Sequence, residues 1–569
     1  MPITVTVLDT GGIQPFIFGS NVLRENIGAS ELVHRATRLW AFEALRDLEQ
    51  NHNVDVTAAR EDRIRDMYTG KFQADDTEQT GAEVLYAGGG NTVVLFQGKG
   101  HATRARDFVY RLSGRILREA PGLNLYAAHQ EYTWGDPEKS LPGAIGEAMK
   151  ELGKLKGRDS GALPALGFPI TAACTSTGLP ANGRHPDKGK AGAANRANRQ
   201  VEAKWKAADR ANDRLRGIFP WIEEALFEWT DNFDDLADLR ERDDGYVAVV
   251  HVDGNGMGRR IKDLTDKWSN RPKEPRGYIE AMREMSTRVQ ETAQKALKET
   301  LQALTKRLAV DDWSDPRQHA FKDGVHYFPI RPLVFGGDDV TLVCAGPWGL
   351  AVAARYLVEL EAQMMPDGQG GESPPYACAG VAIVKTHYPF SQAYGLSEEL
   401  LKEAKRQSKE LADKKASALD WHFTTTGLAG RLGEIRAREY TTSKGPLQMR
   451  PIMLLPDYGW RNWDTLTRLM ERFGEGGDWQ VRRNKTIRLR EALRGGPVRV
   501  AEFWTIFGEK GQVLPKVLLG TDERLDNGWV ESPEKDKDGK VGPMWRSLYF
   551  DAIEIAEQFF DLPGEEESA

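Results

Sequence analysis

The spacing of apolar and polar residues divides the chain into two similar parts, residues 1–141 and 241–430. In both parts, short apolar runs bounded by glycines predict strands, and apolar residues repeating every three to four positions predict helices. In the first part the predicted elements are strand 3–8, helix 31–48, a glycine-turn hairpin in 83–96, helix 102–119 and strand 123–128. This order is that of a ferredoxin-like domain.

The second part repeats the same order of elements. They are strand 246–252, helix 278–304, a hairpin in 332–344, helix 349–364, strand 376–384, helix 391–411 and strand 418–423. We interpret the two parts as diverged copies of one unit. The predicted fold class is therefore α+β, with two ferredoxin-like domains of the palm or nucleotide cyclase kind and a C-terminal helical domain.

The remaining residues form a connecting segment, 142–240, and the C-terminal domain, 431–569. Within the connecting segment a helix is predicted at 198–229, preceded by a stretch rich in Gly, Ala, Asn and basic residues. In the C-terminal domain the predicted elements are helices at 463–474, 484–494 and 550–560, with a charged loop at 528–543.

Composition narrows the class of protein without fixing its function. The 569 residues are 40% hydrophobic and 28% charged, which is usual for a globular protein. A net charge of −7 argues against a surface coated by nucleic acid, although a local basic groove remains compatible with it. The three cysteines lack the spacing of a disulfide framework. With no apolar stretch long enough to span a membrane, we expect a cytoplasmic protein without a membrane partner.

The candidate chemistry centres on the hairpin turn Gly336-Gly337-Asp338-Asp339. Adjacent carboxylates repel each other, so a rigid turn that carries two of them favours a bound cation. Asp253 ends the first strand of the same domain, and the first and third strands of a ferredoxin-like sheet are neighbours. We therefore expect Asp253, Asp338 and Asp339 to converge as catalytic residues and ligands of two Mg²⁺ or Mn²⁺ ions.

Nucleotide phosphates are expected beside these carboxylates. Gly254, Asn255 and Gly256 form a turn before a helix, where backbone amides can approach phosphate oxygens, and Gly336 and Gly337 leave similar room in the hairpin. Lys405, on the last helix of the domain, is a candidate phosphate contact. The alternatives without a function are that the Gly-Gly-Asp-Asp turn is only a solvated hairpin turn and that Lys405 is only a lysine on a helix surface.

The first domain has the hairpin but not the carboxylates. Its turn reads Gly88-Gly89-Gly90-Asn91, and Asp9 takes the place of Asp253. A single carboxylate cannot hold two metal ions, so we predict that this half is catalytically silent. Gly89 and Asn91 are candidates for binding a nucleotide in a composite pocket, and a purely structural repeat is the alternative.

These motifs resemble the large, palm-containing subunit of type III CRISPR effector complexes. The matching stretches are 12–18, 24–30, 251–258, 335–339, 379–385 and 404–405. The resemblance implies a cyclic oligoadenylate synthase that binds two ATP molecules across the two palms. It also implies Asp253, Asp338 and Asp339 as metal ligands, and guide RNA, target RNA and other effector subunits as partners.

The chain departs from that family in two respects. It contains no His-Asp dipeptide and starts directly at the first palm, so we expect a compact version without the HD nuclease domain. Where the family carries a zinc module between the palms, this chain has Cys174 alone, and no zinc is expected.

Three hypotheses for function follow. The leading one is an enzyme of antiphage defence, a palm-type nucleotidyltransferase that makes cyclic oligoadenylate-type messengers from ATP. The second is a non-enzymatic or RNA-binding structural subunit of a type III-like CRISPR ribonucleoprotein, in which the basic run from Arg184 to Arg199 contacts phosphates. The third is a standalone cyclic dinucleotide synthase whose partner palm is built into the same chain.

Overall fold

The structure is a computed structural model. It describes residues 1–569 except 76–78, 160–169, 188–194, 238–244, 311–319, 323, 425–430, 475–476, 478, 480–482, 509–513, 515–517, 520–522, 525–527, 536–540, 557–558 and 563–569. Part of the basic run between Arg184 and Arg199 lies outside the described residues. No helix in the described ranges combines the length and apolar character needed to cross a membrane.

The first domain is built on a four-stranded antiparallel sheet. Its strands are β1 (Pro2–Gly11), β2 (Gly81–Gly88), β3 (Asn91–Gln97) and β4 (Asn124–Thr133). Its helices are α1 (Ile13–Phe18), α2 (Leu23–His34), α3 (Trp40–Arg46) and α4 (His101–Glu119), with a π-helical turn at Arg35–Leu39 between α2 and α3. The strand order β2-β3-β1-β4 is the predicted ferredoxin-like order.

Two helices lead from the first domain to the second. They are α5 (Leu141–Asp159) and α6 (Arg199–Ile218). The apolar side of α5 packs on β1 and β4, and α6 packs along α2. The connecting segment is therefore part of the packed body of the molecule.

The second domain repeats the sheet and extends it. Its strands are β5 (Tyr246–Gly254), β6 (Ile330–Val334), β7 (Asp339–Ala345), β8 (Ala377–Lys385), β9 (Ala418–Phe423) and β10 (Ile452–Met453). Its helices are α7 (Met257–Ser269), α8 (Pro275–Val310), α9 (Gly349–Glu361) and α10 (Phe390–Ala412). The order β6-β7-β5-β8-β9-β10 contains the same four-strand core, so the predicted α+β class with two such domains is confirmed.

Each domain contributes helices to the core of the other. The N-terminal half of α8 packs on β2 and places Ile279, Met282 and Met285 in the same buried cluster as Val5 and Val7 of β1. The C-terminal half packs Leu297, Leu301 and Leu304 inside the second domain. In the opposite direction, the ring of Phe18 at the end of α1 stacks on Tyr394 of α10, with centroids 3.9 Å apart. The two sheets are consequently joined by a shared apolar core.

The C-terminal part contains more than helices. Its helices are α11 (Leu432–Glu439), α12 (Trp463–Phe473), α13 (Arg483–Arg494), α14 (Pro497–Phe507) and α15 (Tyr549–Ile555). The predicted loop at 528–543 is wrong for most of its length, because β11 (Trp529–Lys535) and β12 (Val541–Ser547) pair there as an antiparallel hairpin. Trp529 and Val530 are buried, and their packing stabilises the hairpin even though the segment is rich in charged residues.

Candidate active site between two glycine hairpins

The register of the second sheet brings the three predicted carboxylates to one end of it. Asp253, near the end of β5, is directly opposite Asp339, the first residue of β7. The backbone N–H of Gly254 donates to the carbonyl of Asp338 at 3.1 Å. A Cβ at position 254 would lie 3.1 Å from the Cβ of Asp338, so a side chain here would push the two strand ends slightly apart.

Asp338 differs from the other two carboxylates in its electrostatic surroundings. The pKa of Asp338 is raised, first because the surrounding cleft reduces its hydration and then because Asp253 and Asp339 lie nearby with like charge. Its side chain is still accessible to solvent. An accessible carboxylate beside two others is a place where a bound cation would relieve repulsion.

Two basic side chains contact the other carboxylates. Lys405 of α10 donates from Nζ to Asp253 Oδ2, and lies 3.4 Å from the carbonyl of Gly254. The Nε2 of His251 lies 3.1 Å from Asp339 Oδ1. In the described part of the chain, no three His, Cys, Asp or Glu side chains converge as a ready group of metal ligands. A metal ion at this position would therefore compete with Lys405 for Asp253.

The glycine turn after β5 has two different halves. Gly256 takes φ 74° at the start of α7, and no side chain caps this helix, so its first amides are left without a side-chain acceptor. The side chain of Asn255 is buried and donates to Ser408 Oγ and the carbonyl of Ala416, each at 3.1 Å. The structure thus brings Gly256 to the site, whereas the Asn255 side chain is engaged by the fold.

The first domain reproduces this frame. Asp9 is opposite Asn91 in the β1–β3 pair, as Asp253 is opposite Asp339, and the Thr10 amide donates to Gly90 as Gly254 donates to Asp338. Lys156 of α5 also donates to Asp9, as Lys405 does to Asp253. Each lysine is the sixteenth residue of its helix. Sequence reasoning missed Lys156, although its helical position was an available signal.

The two glycine hairpins face a common cavity of about 200 Å³. Gly88, Gly89 and Gly90 line one side of it, and residues 336–339 line another. The remaining wall carries apolar side chains together with four charged or titratable ones, which are His34, Arg38, Asp62 and Arg214. The predicted residues Gly89, Gly336 and Gly337 are therefore brought to the same space as Asp338 and Asp339.

Two facing ferredoxin-like sheets with a Gly-Gly-Asp-Asp hairpin at one sheet end define a two-palm protein. Residues 246–413 match the Cas10/Cmr2 family in its second palm domain. This part of the chain is similar to that palm domain, and the predicted resemblance to the palm subunit of type III CRISPR complexes is confirmed. No curated protein matches the chain.

Several solved structures are similar over most of this chain. They include the apo Csm1–Csm4 cassette (13% identity, TM-score 0.49), the same cassette with AMPPNP (13%, 0.46) and Csm1 in T. onnurineus (14%, 0.46). In each case the match covers 89% of this chain and 64% of the other. The chain thus spans somewhat less than two thirds of these relatives.

Proposed function

We propose that the protein is a nucleotidyltransferase that makes cyclic oligoadenylate-type messengers from ATP. The observation that carries this proposal is the cross-strand pairing of Asp253 with Asp339, with Asp338 beside them, and a copy of the same frame in the first domain whose hairpin turn has no carboxylate. A phosphodiester-forming site needs one nucleotide held as donor and another as acceptor. Two related half-sites facing one cavity meet that need.

The donor set suits Mg²⁺ or Mn²⁺. Asp253, Asp338 and Asp339 offer only oxygen ligands, which these ions prefer, and the pKa of Asp338 is raised by its reduced hydration and then by the neighbouring negative charges of Asp253 and Asp339. Two divalent ions bound there would neutralise phosphate charge and lower the pKa of an attacking 3′-hydroxyl. Release of Asp253 from Lys405 would free its carboxylate for this role.

The neighbouring residues then have separate tasks. Lys405, once released from Asp253, would contact the triphosphate, and the uncapped start of α7 would offer amides to the same phosphates. Across the cavity, Gly89 and Asn91 are proposed to contact the nucleotide that accepts the transfer. Because the first domain keeps Asp9 with Lys156, it can orient a phosphate without two metal ions.

The proposed setting is a type III-like CRISPR effector complex. The palm family supports this setting, and the cassette structures named above pair Csm1 with Csm4. We propose that this chain likewise associates with other effector subunits and with guide and target RNA. Co-purification of RNA and partner subunits with the tagged chain from its native host would support the proposal, and an RNA-free, partner-free chain would oppose it.

The direct test of the activity is product analysis. Purified protein is incubated with each NTP and Mg²⁺ or Mn²⁺, with and without complementary RNA, and the products are identified by mass spectrometry. We expect ATP-dependent pyrophosphate release with 3′–5′-linked oligoadenylates. The absence of pyrophosphate release under every condition, or unchanged activity in Asp338→Ala/Asp339→Ala, would overturn the proposal.

A further inference from the structure

The wall of the shared cavity contains a buried charge cluster centred on Asp62. Asp62 lies between two short helical turns, Val56–Arg60 and Ile64–Met67, and takes φ 53°. A non-glycine residue in this left-handed region is uncommon and persists only where the surroundings hold it. The side chain is 6% exposed, so the carboxylate is held inside the protein.

Three basic side chains surround this carboxylate. Arg38 Nη1 donates to Asp62 Oδ1 at 2.9 Å, Arg214 Nε donates to Oδ2 at 2.5 Å, and His34 Nε2 lies 3.2 Å from Oδ1. Burial alone would raise the pKa of Asp62, but Arg214 and His34 outweigh it and lower the pKa well below the ordinary value. Asp62 is therefore a charged group at neutral pH, and its two arginines are tied to it.

Arg214 connects this cluster to the carboxylate hairpin. It belongs to α6, and its guanidinium lies over the ring of Phe335, 4.5 Å from the centroid. Phe335 immediately precedes Gly336, and so is the first residue after β6. A cation over an aromatic face is an oriented contact that weakens when either partner moves. A displacement of Arg214 is therefore expected to displace the carboxylate hairpin as well.

Arg38 connects the cluster to the silent hairpin. It lies on the π-helical turn, a type of turn found often at functional sites, and its Nη2 donates to the Gln290 side chain of α8. Both side chains pack beneath Gly88, since a Cβ there would lie 3.1 Å from Gln290 Nε2 and 3.9 Å from Arg38 Nη2. One end of the cluster thus supports the first hairpin and the other end supports the second.

We infer that Asp62, Arg38 and Arg214 are positioning residues that hold the two hairpins in register with each other. The cluster joins the first domain, the connecting helix α6 and helix α8 of the second domain at one buried point. This inference rests on the proposed function, because it assigns the alignment of donor and acceptor nucleotides to these side chains. A misplacement of about 1 Å in such a site can cost about 10²-fold in rate.

The test compares Asp62→Asn, Arg214→Lys and their double variant in the full chain. Asparagine keeps the shape of Asp62 and removes its charge, and lysine keeps the charge of Arg214 and removes its flat stacking surface. For each single variant we expect kcat for oligonucleotide formation to fall about 10- to 100-fold, with KM for ATP changed less than about threefold. The double variant is expected to be no slower than the slower single one, because the residues act as one unit.

A matched control is Asp420→Asn. Asp420 is also buried and is held by two hydrogen bonds from Arg436, but it lies on β9 and lines neither hairpin. The Asp420→Asn substitution should lower thermal stability and leave kcat within about threefold of the value for the original chain. Phe335→Leu is a second probe that keeps every ion pair of Asp62, and we expect it to lower kcat even if Asp62→Asn folds poorly.

Hydrogen exchange gives a readout that does not depend on activity. Amides of both hairpins, 84–94 and 333–341, should exchange faster together in Asp62→Asn and unchanged in Asp420→Asn. Unchanged kcat and exchange in Asp62→Asn, additive losses in the double variant, or a raised KM with unchanged kcat would overturn the inference. An original chain that makes no oligonucleotide from any NTP would instead refute the proposed function, while the exchange experiment would still decide whether the cluster couples the hairpins.

Discussion

The two hairpins share a frame and differ at their tips. Each position of the second is 248 residues after its counterpart, so that Asn91 corresponds to Asp339 and Val94 to Leu342, and both hairpins have a bulge at the same place in the first strand. In the first hairpin, strand pairing continues to Gly88 and Asn91, which leaves a two-residue turn. In the second it stops at Val334 and Thr341.

This difference shows that the first hairpin differs from the second by more than two carboxylates. Gly89 and Gly90 both have positive φ, as a tight two-residue hairpin turn requires, whereas in the carboxylate hairpin only Gly336 does among residues 336–339. Asp338 occupies the position equivalent to Gly90 with an ordinary backbone. The longer, more open tip therefore allows a carboxylate where the tight turn disfavours any side chain.

The largest difference is expected when the carboxylates of the second hairpin and the Asn91 amide of the first are each replaced by alanine. We expect Asp338→Ala/Asp339→Ala to reduce product formation by at least about 10³-fold, because the ligands for charge neutralisation are lost. Asn91→Ala should reduce it by less than about tenfold. Pyrophosphate release and mass spectrometry measure both, and comparable losses in the two variants would mean that the first hairpin is not silent.

The link between the hairpins should also appear in stability. Asp62→Asn is expected to cost about 2–4 kcal/mol at pH 7, because the buried Arg38 loses its carboxylate partner and Arg214 keeps only Glu31. Since the pKa of Asp62 is lowered in the folded protein, its stabilisation is complete above the ordinary value near 4 and is lost as the pH falls below it. The difference in melting temperature between the two proteins should therefore shrink below about pH 4, and a difference that stays constant there would contradict the assignment.

The two aspartate–lysine pairs offer a smaller contrast. Lys405→Ala is expected to lower kcat/KM about 10- to 100-fold, because a cation beside the transferred phosphate is removed. Lys156→Ala, the matched change in the first domain, should lower it no more than about fivefold. Steady-state kinetics with ATP distinguish the two, and a larger effect at Lys156 would reverse the proposed donor and acceptor sides.

The smallest expected effect concerns the turn backbones. Gly90→Ala should destabilise the protein by about 1–2 kcal/mol, because φ is 86° there and the new Cβ would lie 2.8 Å from Ile13 Cδ1. Gly337→Ala should change stability by less than about 0.5 kcal/mol, since its φ is outside the left-handed region and no atom lies within 4 Å of the added carbon. Thermal unfolding of both variants checks this, and equal shifts would mean that the tips do not differ as described.

Much of the fold was predictable because it depends on local periodicity. Apolar runs located the central strands and the ferredoxin-like order placed Asp253 next to Asp339, as the register confirms. The ends of α8 were not predictable, since they depend on contacts with the distant first sheet. The hairpin of β11 and β12 was not predicted, because Pro533 and nearby charges are typical of loops.

The candidate site was predictable where its residues are adjacent in sequence or follow from the order of the strands. Gly336 to Asp339 form one contiguous motif, so their grouping required no knowledge of packing. Asp62 and Arg214 are 152 residues apart, and neither has a neighbouring residue that marks a function. The contacts of His251 and Lys156 likewise arise from the register of strands and the phase of a helix.

The 36-residue helix α8 also has a consequence for biosynthesis. The apolar face of the first sheet that includes Val5 and Val7 is covered in part by Ile279, Met282 and Met285. The chain is made from its N-terminus, and the first sheet is complete at Thr133. That face therefore stays partly uncovered until about 140 further residues have been synthesised. The first palm is therefore expected to need chaperone protection on the ribosome, and a fragment ending at residue 141 should aggregate.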